Sequence, residues 1–161
     1  MTQIRVADVM STEVVTIGPD ETIEIAEQMM HAGRIHHLPV VSSTGRLEGI
    51  LAQADLLRAS VSIFAGLSPD EELEIKRSIP VSRVMSRSVC TVRPSDPAMR
   101  AGELILRHKY GCLPVVEGRK LVGILTEGDF VGVAIRALRI DAEVHAGVAT
   151  QDIDAPRATV N

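Results

Sequence analysis

The sequence predicts an α/β (α+β) protein in which two βαββα repeats pack on each other about a pseudo-twofold axis. The first observation is a duplication, since a shift of 75 residues places Val9-Met10-Ser11 on Val84-Met85-Ser86. The second is that each copy alternates short β-branched segments with segments of helical periodicity. The third is that a copy of about 55 residues buries too little surface to be stable alone. We therefore expect the two copies to share a core.

The duplication continues to the end of each copy, with one slip in a loop. Leu38-Pro39-Val40-Val41 falls on Leu113-Pro114-Val115-Val116, and Gly49-Ile50-Leu51 falls on Gly123-Ile124-Leu125 one residue out of step. A polar turn between strands tolerates such a slip. The repetition predicts a first repeat over 1–58, a connecting segment with a short helix over 59–78, a second repeat over 79–138 and a polar, flexible tail over 139–161.

Each repeat is predicted to begin with a short strand and a helix. Residues 14–17 and 89–92 are rich in β-branched side chains and are followed by a proline, which predicts a strand that ends there. Asp20 and Ser95 are the expected N-caps of the helices that follow. In the first copy, the apolar face of this helix consists of residues at helical spacing: Ile23, Ala26, Met29, Met30 and Gly33.

A hairpin follows the first helix of each repeat. In the first copy its strands are predicted over 38–41 and 47–51, and a Thr44-Gly45 turn joins them. The second copy has the equivalent strands over 113–116 and 121–125. The hairpins therefore contain the most closely repeated part of the sequence.

Three further helices are predicted. The closing helix of each repeat is expected to begin near Asp55 or Asp129, whose carboxylates suit the positive end of the helix dipole. A connecting helix is predicted over 69–77, because Ser68 can cap it and a proline and acidic residues fill its first turn. After Arg139 the sequence becomes polar and irregular, so we expect much of it to be mobile.

The repeated motifs resemble those of CBS domains, the regulatory modules named after cystathionine β-synthase. The motifs are VADVM and VSRVM, HLPVV and CLPVV, and GIL followed by AQAD or TEGD, over about residues 4–58 and 79–137. The resemblance implies a flat disc of two repeats and a homodimer of such discs. It also implies clefts between repeats that hold adenosine-containing ligands, namely AMP, ADP, ATP or S-adenosylmethionine.

By this resemblance, Thr126 contacts ligand phosphate and Asp129 contacts the ribose. The remaining residues expected at this preferred site are Val84, Met85, Thr91, Cys112 and Pro114. A second, weaker site is expected at Asp55, Met10, Thr16, His36, His37 and Pro39. It is expected to be weaker because Ala52 stands where the other copy has Thr126. The missing hydroxyl removes one hydrogen bond, worth about 0.5–1.5 kcal/mol.

The TEGD motif also has a purely structural interpretation. A hydroxyl and a carboxylate three residues apart at a helix start can form a capping box, which stabilises by about 1 kcal/mol. A helix N-terminus with free amides binds anions equally well, so the residues leave both interpretations open. They also leave open whether one repeat supplies the cation, through His36 and His37, while the other supplies the helix start.

Composition argues against several other functions. The net charge is -4, and the chain has one Tyr, two Phe and no Trp, so nucleic-acid binding is not expected. No apolar run approaches the roughly 20 residues that cross a membrane, and the first residues lack the pattern of a signal peptide. We therefore expect no membrane contact and a cytoplasmic location, with Cys90 and Cys112 reduced.

No pattern in the chain indicates catalysis or a metal site. GxSxG, HExxH and P-loop motifs are missing from the sequence, so we expect no enzymatic activity and no required cofactor. His36 and His37 are adjacent in an extended segment and would point to opposite faces, so a shared metal is not expected. The favoured function is a non-enzymatic sensor that signals to an effector protein. The alternative is a ligand-free scaffold whose homodimer is the functional surface.

Overall fold

The computed structural model describes residues 3–63 and 66–145. Each repeat packs two helices against a two-stranded antiparallel hairpin, and a further helix connects the repeats. Short 3₁₀ turns, Val6–Asp8 and Val81–Arg83, open the two repeats. In chain order the elements are α1 (Ile23–Gly33), β1 (His37–Val41), β2 (Leu47–Ala52), α2 (Gln53–Ile63), α3 (Pro69–Ser78), α4 (Ala98–His108), β3 (Cys112–Glu117), β4 (Lys120–Thr126) and α5 (Glu127–His145).

The two hairpins have equivalent registers and agree with the predicted strands to within a residue at each end. His37 lies opposite Ala52 in the first hairpin, and Cys112 lies opposite Thr126 in the second. The residue that differs between the copies, alanine or threonine, is therefore the last of its strand. It stands directly before α2 or α5, where the chain leaves the sheet for a helix.

The first strand of each repeat is shorter than predicted. Within 14–17 and 89–92, only Ile17 and Val92 pair, each through a single parallel bridge to the neighbouring hairpin. Ile17 donates its N–H to Pro39 at 3.1 Å, and its carbonyl accepts from Val41 at 2.9 Å. The predicted length of these two strands was therefore wrong.

The predicted N-caps of the first helices were also wrong. Thr22, not Asp20, caps α1 and accepts the N–H of Ile25 at 3.4 Å. Pro97 precedes α4 without a side-chain cap, so Ser95 does not cap that helix. Both helices begin later than expected because the preceding residues form bridges across the molecule, Thr22 with Pro80 and Pro97 with Arg5.

The connecting helix α3 forms where the sequence predicts it. Ser68 accepts the N–H of Glu71, and the Glu71 carboxylate accepts the N–H of Ser68 at 2.9 Å, which completes a capping box. The helix packs on α1, where Lys76 Nζ lies 2.9 Å from Glu27 and Arg77 Nε lies 3.1 Å from Glu24. This packing covers a face of the first repeat, and among residues 66–145 no counterpart helix packs on the second repeat.

The two repeats exchange their opening segments. Val81 and Met85 pack in the core of the first repeat with Leu38 and Leu51, whereas Val6 belongs to the core of the second. The boundaries predicted at 1–58 and 79–138 follow the repetition in the sequence, but each core is completed by residues from the other side of that division. The exchange explains how two small repeats form one stable unit, as the surface argument requires.

The glycine of each GIL motif allows this exchange. A Cβ atom on Gly49 would lie 2.7 Å from the Met85 sulfur and 2.8 Å from the Ser86 carbonyl oxygen. A Cβ atom on Gly123 would lie 2.7 Å from the Met10 sulfur. Only a residue without a side chain leaves room for the opposite repeat's opening segment at these two positions.

The closing helix α5 is longer than expected. It continues through His145, so the flexible tail predicted from residue 139 begins as helix. Ala137, Leu138 and Arg139 are strong helix formers, which is why the polar composition there did not end the helix. The remainder of the predicted tail, residues 146–161, lies outside the described residues.

Candidate ligand-binding clefts

Two clefts lie between the repeats. The Thr126 cleft is a cavity of about 530 Å³ lined by Ser11 and residues 13–15 and 34–37 from the first copy, with Gly111, Ile124 and 126–129 from the second. The Asp55 cleft is a cavity of about 280 Å³ lined by His37, Ile50, Ala52 and Asp55 from the first copy, with Ser86, 88–90 and 109–112 from the second. Nearly every residue of one cleft is the repeat counterpart of a residue in the other.

The start of α5 is organised by the Asp129 carboxylate. Its Oδ2 accepts the N–H of Thr126 at 2.7 Å and the Thr126 hydroxyl at 2.8 Å. Its Oδ1 accepts the hydroxyl of Ser11, from the other repeat, at 3.1 Å. The carboxylate half of the expected capping box is therefore present. The hydroxyl half is not, because Thr126 donates to Asp129 rather than accepting a helix amide.

The start of α2 has a different set of hydrogen bonds. Asp55 Oδ2 accepts the N–H of Ala52 at 2.9 Å, as Asp129 does for Thr126. Asp55 Oδ1 accepts the guanidinium of Arg58, one turn further along the helix. Ala52 has no hydroxyl to offer, so a charged side chain takes the place of two neutral hydroxyls around this carboxylate. The helix start at Ala52 is thus held by Asp55 despite the missing hydroxyl.

His37 forms the shared wall of the two clefts. A Cβ atom on Gly111 would lie 2.2 Å from His37 Nε2 and 2.3 Å from its Cε1, so the imidazole occupies the space of the missing side chain. This contact explains why the second copy has glycine where the first has His36. Burial lowers the pKa of His37, and the neighbouring His36 lowers it further, while Asp55 partly opposes the shift. His37 is therefore largely uncharged at neutral pH.

Each cleft also contains a cation from the end of a helix. Arg34 follows α1 with φ 50°, and Lys109 follows α4 with φ 56°. The left-handed region favours glycine, and a residue with a Cβ costs roughly 1–2 kcal/mol there. Arg34 lines the Thr126 cleft and Lys109 lines the Asp55 cleft. The sequence interpretation considered only the histidines as cations. The sequence did contain a signal for these two cations. Both copies have a basic residue at the equivalent position after the first helix, where helices commonly end in glycine.

The structure brings together only part of each predicted site. Thr126 and Asp129 share a cleft, and His36 and His37 face it from the first copy. Of the other residues predicted for the two sites, Asp55 and Cys112 line a cleft between the repeats, the Asp55 cleft. The rest lie elsewhere: Met85, Pro114 and Pro39 are buried, Val84 and Met10 pack against the cores, and Thr91 and Thr16 line other cavities. The grouping differs because each cleft combines a helix start from one copy with segments of the other.

The cysteine and histidine groups show no sign of metal or redox chemistry. Burial raises the pKa of Cys112 to about 12, so it remains a thiol at physiological pH. Over residues 3–63 and 66–145, no three His, Cys, Asp or Glu side chains are grouped as a metal would require. Among the helices of the same residues, none is both long and apolar enough to cross a membrane.

Two hairpin-and-helix repeats that exchange their opening segments and enclose two equivalent clefts define a class of tandem-repeat modules. Comparison with known proteins gives the family. The family model described as CBS domain matches residues 6–62 and 81–136, so the chain belongs to the CBS domain family. The resemblance seen in the sequence motifs is thereby confirmed.

Three similar proteins place the chain within this family. It is 32% identical to a CBS domain-containing protein from Dictyostelium discoideum, over 84% of this chain and 94% of that protein. The crystal structure of CBSX2 in complex with AMP is 27% identical, with a TM-score of 0.71, and the match covers 84% of this chain and 98% of that one. A homoserine O-acetyltransferase from Methanococcoides burtonii is 33% identical, but the match spans only 24% of that enzyme.

Proposed function

We propose that this protein is a non-enzymatic regulatory module that binds adenosine-containing ligands in the clefts between its repeats. The observation that carries the proposal is the Thr126 cleft, where the start of α5 and the Asp129 carboxylate face Arg34 and two histidines of the opposite repeat. A relative of the same fold, CBSX2, has been crystallised with AMP. The match to only a quarter of an acetyltransferase supports a module that is separable from a catalytic domain.

The residues of the cleft suit the parts of a nucleoside ligand. A carboxylate such as Asp129 accepts hydrogen bonds from the ribose hydroxyls, and the Ser11 hydroxyl on its Oδ1 can rotate to make room for them. The amides at the start of α5 have no partner within the helix and favour negative charge or hydrogen-bond acceptors. The half-exposed side chains of Val14 and Ile35 provide the apolar surface that a purine needs.

A ligand in either cleft would bridge the two repeats, because each cleft contains segments of both. Binding would favour the relative arrangement of the repeats that fits the ligand best, and an effector protein would recognise that arrangement. The surface of the second repeat suits a partner. Met99 and Leu106 on α4 and Val131 and Leu138 on α5 are exposed apolar side chains. We propose a homodimer through these helices.

The exposed apolar residues of α4 and α5 also support the second candidate, a scaffold whose clefts have no ligand. Thermal shift measurements with AMP, ADP, ATP and S-adenosylmethionine separate the two. At a concentration 100 times the Kd, a ligand stabilises by about 2.7 kcal/mol, which for a protein of this size raises the Tm by roughly 5–10 °C. If none of the four ligands raises the Tm at millimolar concentration, the scaffold is the function that remains.

A matched pair of variants assigns the shift to the clefts. Asp55→Asn/Asp129→Asn removes both cleft carboxylates, while Asp20→Asn/Asp70→Asn makes the same charge change at exposed positions outside the clefts. Each variant is first measured without ligand, so that its own loss of stability is subtracted. We expect the ligand-induced shift to fall sharply in the first variant and to persist in the second. An equal shift in both would place the ligand elsewhere.

A further inference from the structure

We propose that the two clefts prefer adenosine ligands of different charge. The Asp55 cleft suits a phosphate-bearing, anionic ligand such as a nucleoside monophosphate. The Thr126 cleft suits an uncharged or cationic adenosine compound, such as adenosine itself or a sulfonium derivative. This inference rests on the proposed function, because it assigns ligand classes to the same two clefts. It reverses the sequence-based expectation that Thr126 marks the phosphate site.

The repeat counterparts differ in charge at the edges of the clefts. Glu13 lines the Thr126 cleft, and its counterpart Ser88 lines the Asp55 cleft. Glu127 opens α5 within the Thr126 cleft, and its counterpart at the start of α2 is Gln53. The cations are matched, since Arg34 in one cleft corresponds to Lys109 in the other. The Thr126 cleft therefore carries two additional negative charges.

The remaining difference lies at the cleft carboxylates. Asp55 forms an ion pair with Arg58, while the counterpart of Arg58 beside Asp129 is Gly132. Asp129 receives only neutral donors, the Thr126 amide and hydroxyl and the Ser11 hydroxyl. The negative charge of Asp55 is thus balanced by a guanidinium, and that of Asp129 is not.

The formal charges of the lining residues differ between the two clefts. In the Thr126 cleft the acids Glu13, Glu127 and Asp129 outnumber the single cation Arg34, for a net charge of -2. In the Asp55 cleft the lining charges Lys109 and Asp55 cancel, for a net charge of 0, and the guanidinium of Arg58 adjoins the cleft through its ion pair with Asp55. The histidines are counted as neutral, and both clefts have a helix start, so the helix dipoles do not discriminate. A phosphate is repelled from the first cleft and attracted to the second.

The chain contains a separate probe for each cleft. Tyr110 is the one tyrosine of the sequence, there is no tryptophan, and Tyr110 lines the Asp55 cleft. Its fluorescence therefore reports on that cleft. His36 lines the Thr126 cleft and not the Asp55 cleft. Its imidazole NMR signals, assigned with the His36→Gln variant, therefore report on the Thr126 cleft.

Titrations with AMP and with adenosine test the inference at low ionic strength. We expect AMP to change the Tyr110 fluorescence at lower concentration than it shifts His36, and adenosine to act in the opposite order. The same order for both compounds would overturn the charge assignment and leave the proposed function intact. If neither compound changes either probe and none of AMP, ADP, ATP and S-adenosylmethionine raises the Tm at millimolar concentration, the proposed function itself fails.

A double substitution tests the cause. Glu13→Ser/Glu127→Gln gives the Thr126 cleft the residues of its counterpart, and both glutamates are exposed, so the fold should be unaffected. We expect AMP to bind this cleft on the order of threefold to tenfold more tightly, with adenosine unchanged and the gain reduced at 0.5 M salt. Glu103→Gln, exposed on α4 outside both clefts, is the control. An equal gain for adenosine, or none for AMP, would overturn the inference.

Discussion

The contact between His37 and Gly111 offers a sharp test of how the two repeats fit together. Gly111 has no positive φ, so its backbone allows alanine, and Gly111→Ala should stabilise by about 0.4–1 kcal/mol through the unfolded chain alone. However, the new Cβ atom would lie 2.2 Å from His37 Nε2, well inside van der Waals contact. The half-buried imidazole must move, and overpacking of this kind typically costs about 1–3 kcal/mol.

The steric term outweighs the entropic one, so Gly111→Ala should lower the free energy of unfolding by about 0.5–2 kcal/mol. For a protein of this size the Tm should fall by roughly 1–8 °C. Gly18→Ala is the control, because the nearest atom to its Cβ, Glu21 Cγ, lies at an ordinary 3.6 Å. Both variants are compared with the wild-type protein by urea unfolding and by thermal unfolding.

A double-mutant cycle identifies His37 as the cause. In a His37→Ala background the imidazole is gone, and Gly111→Ala should then cost little or become slightly stabilising. The reasoning is refuted if Gly111→Ala is as stable as Gly18→Ala in the wild-type background. It is also refuted if the penalty is the same with and without His37, because the two residues would then not be in contact.

Three further outcomes follow from the structure. Cys112, whose pKa is raised to about 12, should resist iodoacetamide in the native protein at pH 8. After unfolding, mass spectrometry should show that it reacts. Rapid labelling of Cys112 in the native protein would contradict its burial. Ser68→Ala should cost about 0.5–2 kcal/mol as a lost N-cap. The Ser68 amide and hydroxyl lower the pKa of Glu71 from its ordinary value of 4.5. The Glu71 carboxylate therefore contributes to stability above pH 4.5, and this contribution is lost as the pH falls through the lowered pKa. The difference in free energy of unfolding between wild type and Ser68→Ala should therefore shrink as the pH is lowered below 4.5, and a difference that stays constant would exclude the Glu71 contribution. Gly49→Ala meets a backbone oxygen at 2.8 Å that cannot move freely, so it should cost more than Gly111→Ala in the same assay, and equal stability would contradict the exchange of opening segments.

Local patterns in the sequence predicted the hairpins and the helices well. The strands around Leu38 and Leu113 and the capping box at Ser68 depend on residues close together in the chain, and the structure has them where expected. The N-caps failed for the opposite reason. Thr22 caps helix α1 and also bridges to Pro80, more than 50 residues away, and no local propensity contains this information.

The composition of the clefts was harder to predict than the fold. The motif that ends in Asp129 was correctly singled out as a helix start, but the other residues predicted for its site came from the same copy, and a contribution from His36 and His37 was left open. In the structure its neighbours Ser11, Arg34 and His36 come from the other copy, Ser11 through the exchanged opening segment. The steric contact of His37 with Gly111 is likewise a long-range feature, visible in the sequence only as an unexplained glycine.

A crystal structure determined in the presence of a saturating concentration of AMP tests the central claim most directly. The account predicts an adenosine group in a cleft between the repeats, with its ribose hydroxyls on the carboxylate at the start of α2 or α5 and contacts to both copies. It further predicts that AMP has a higher occupancy in the Asp55 cleft than in the Thr126 cleft. AMP bound on an outer surface, or contacting one repeat alone, would contradict the account.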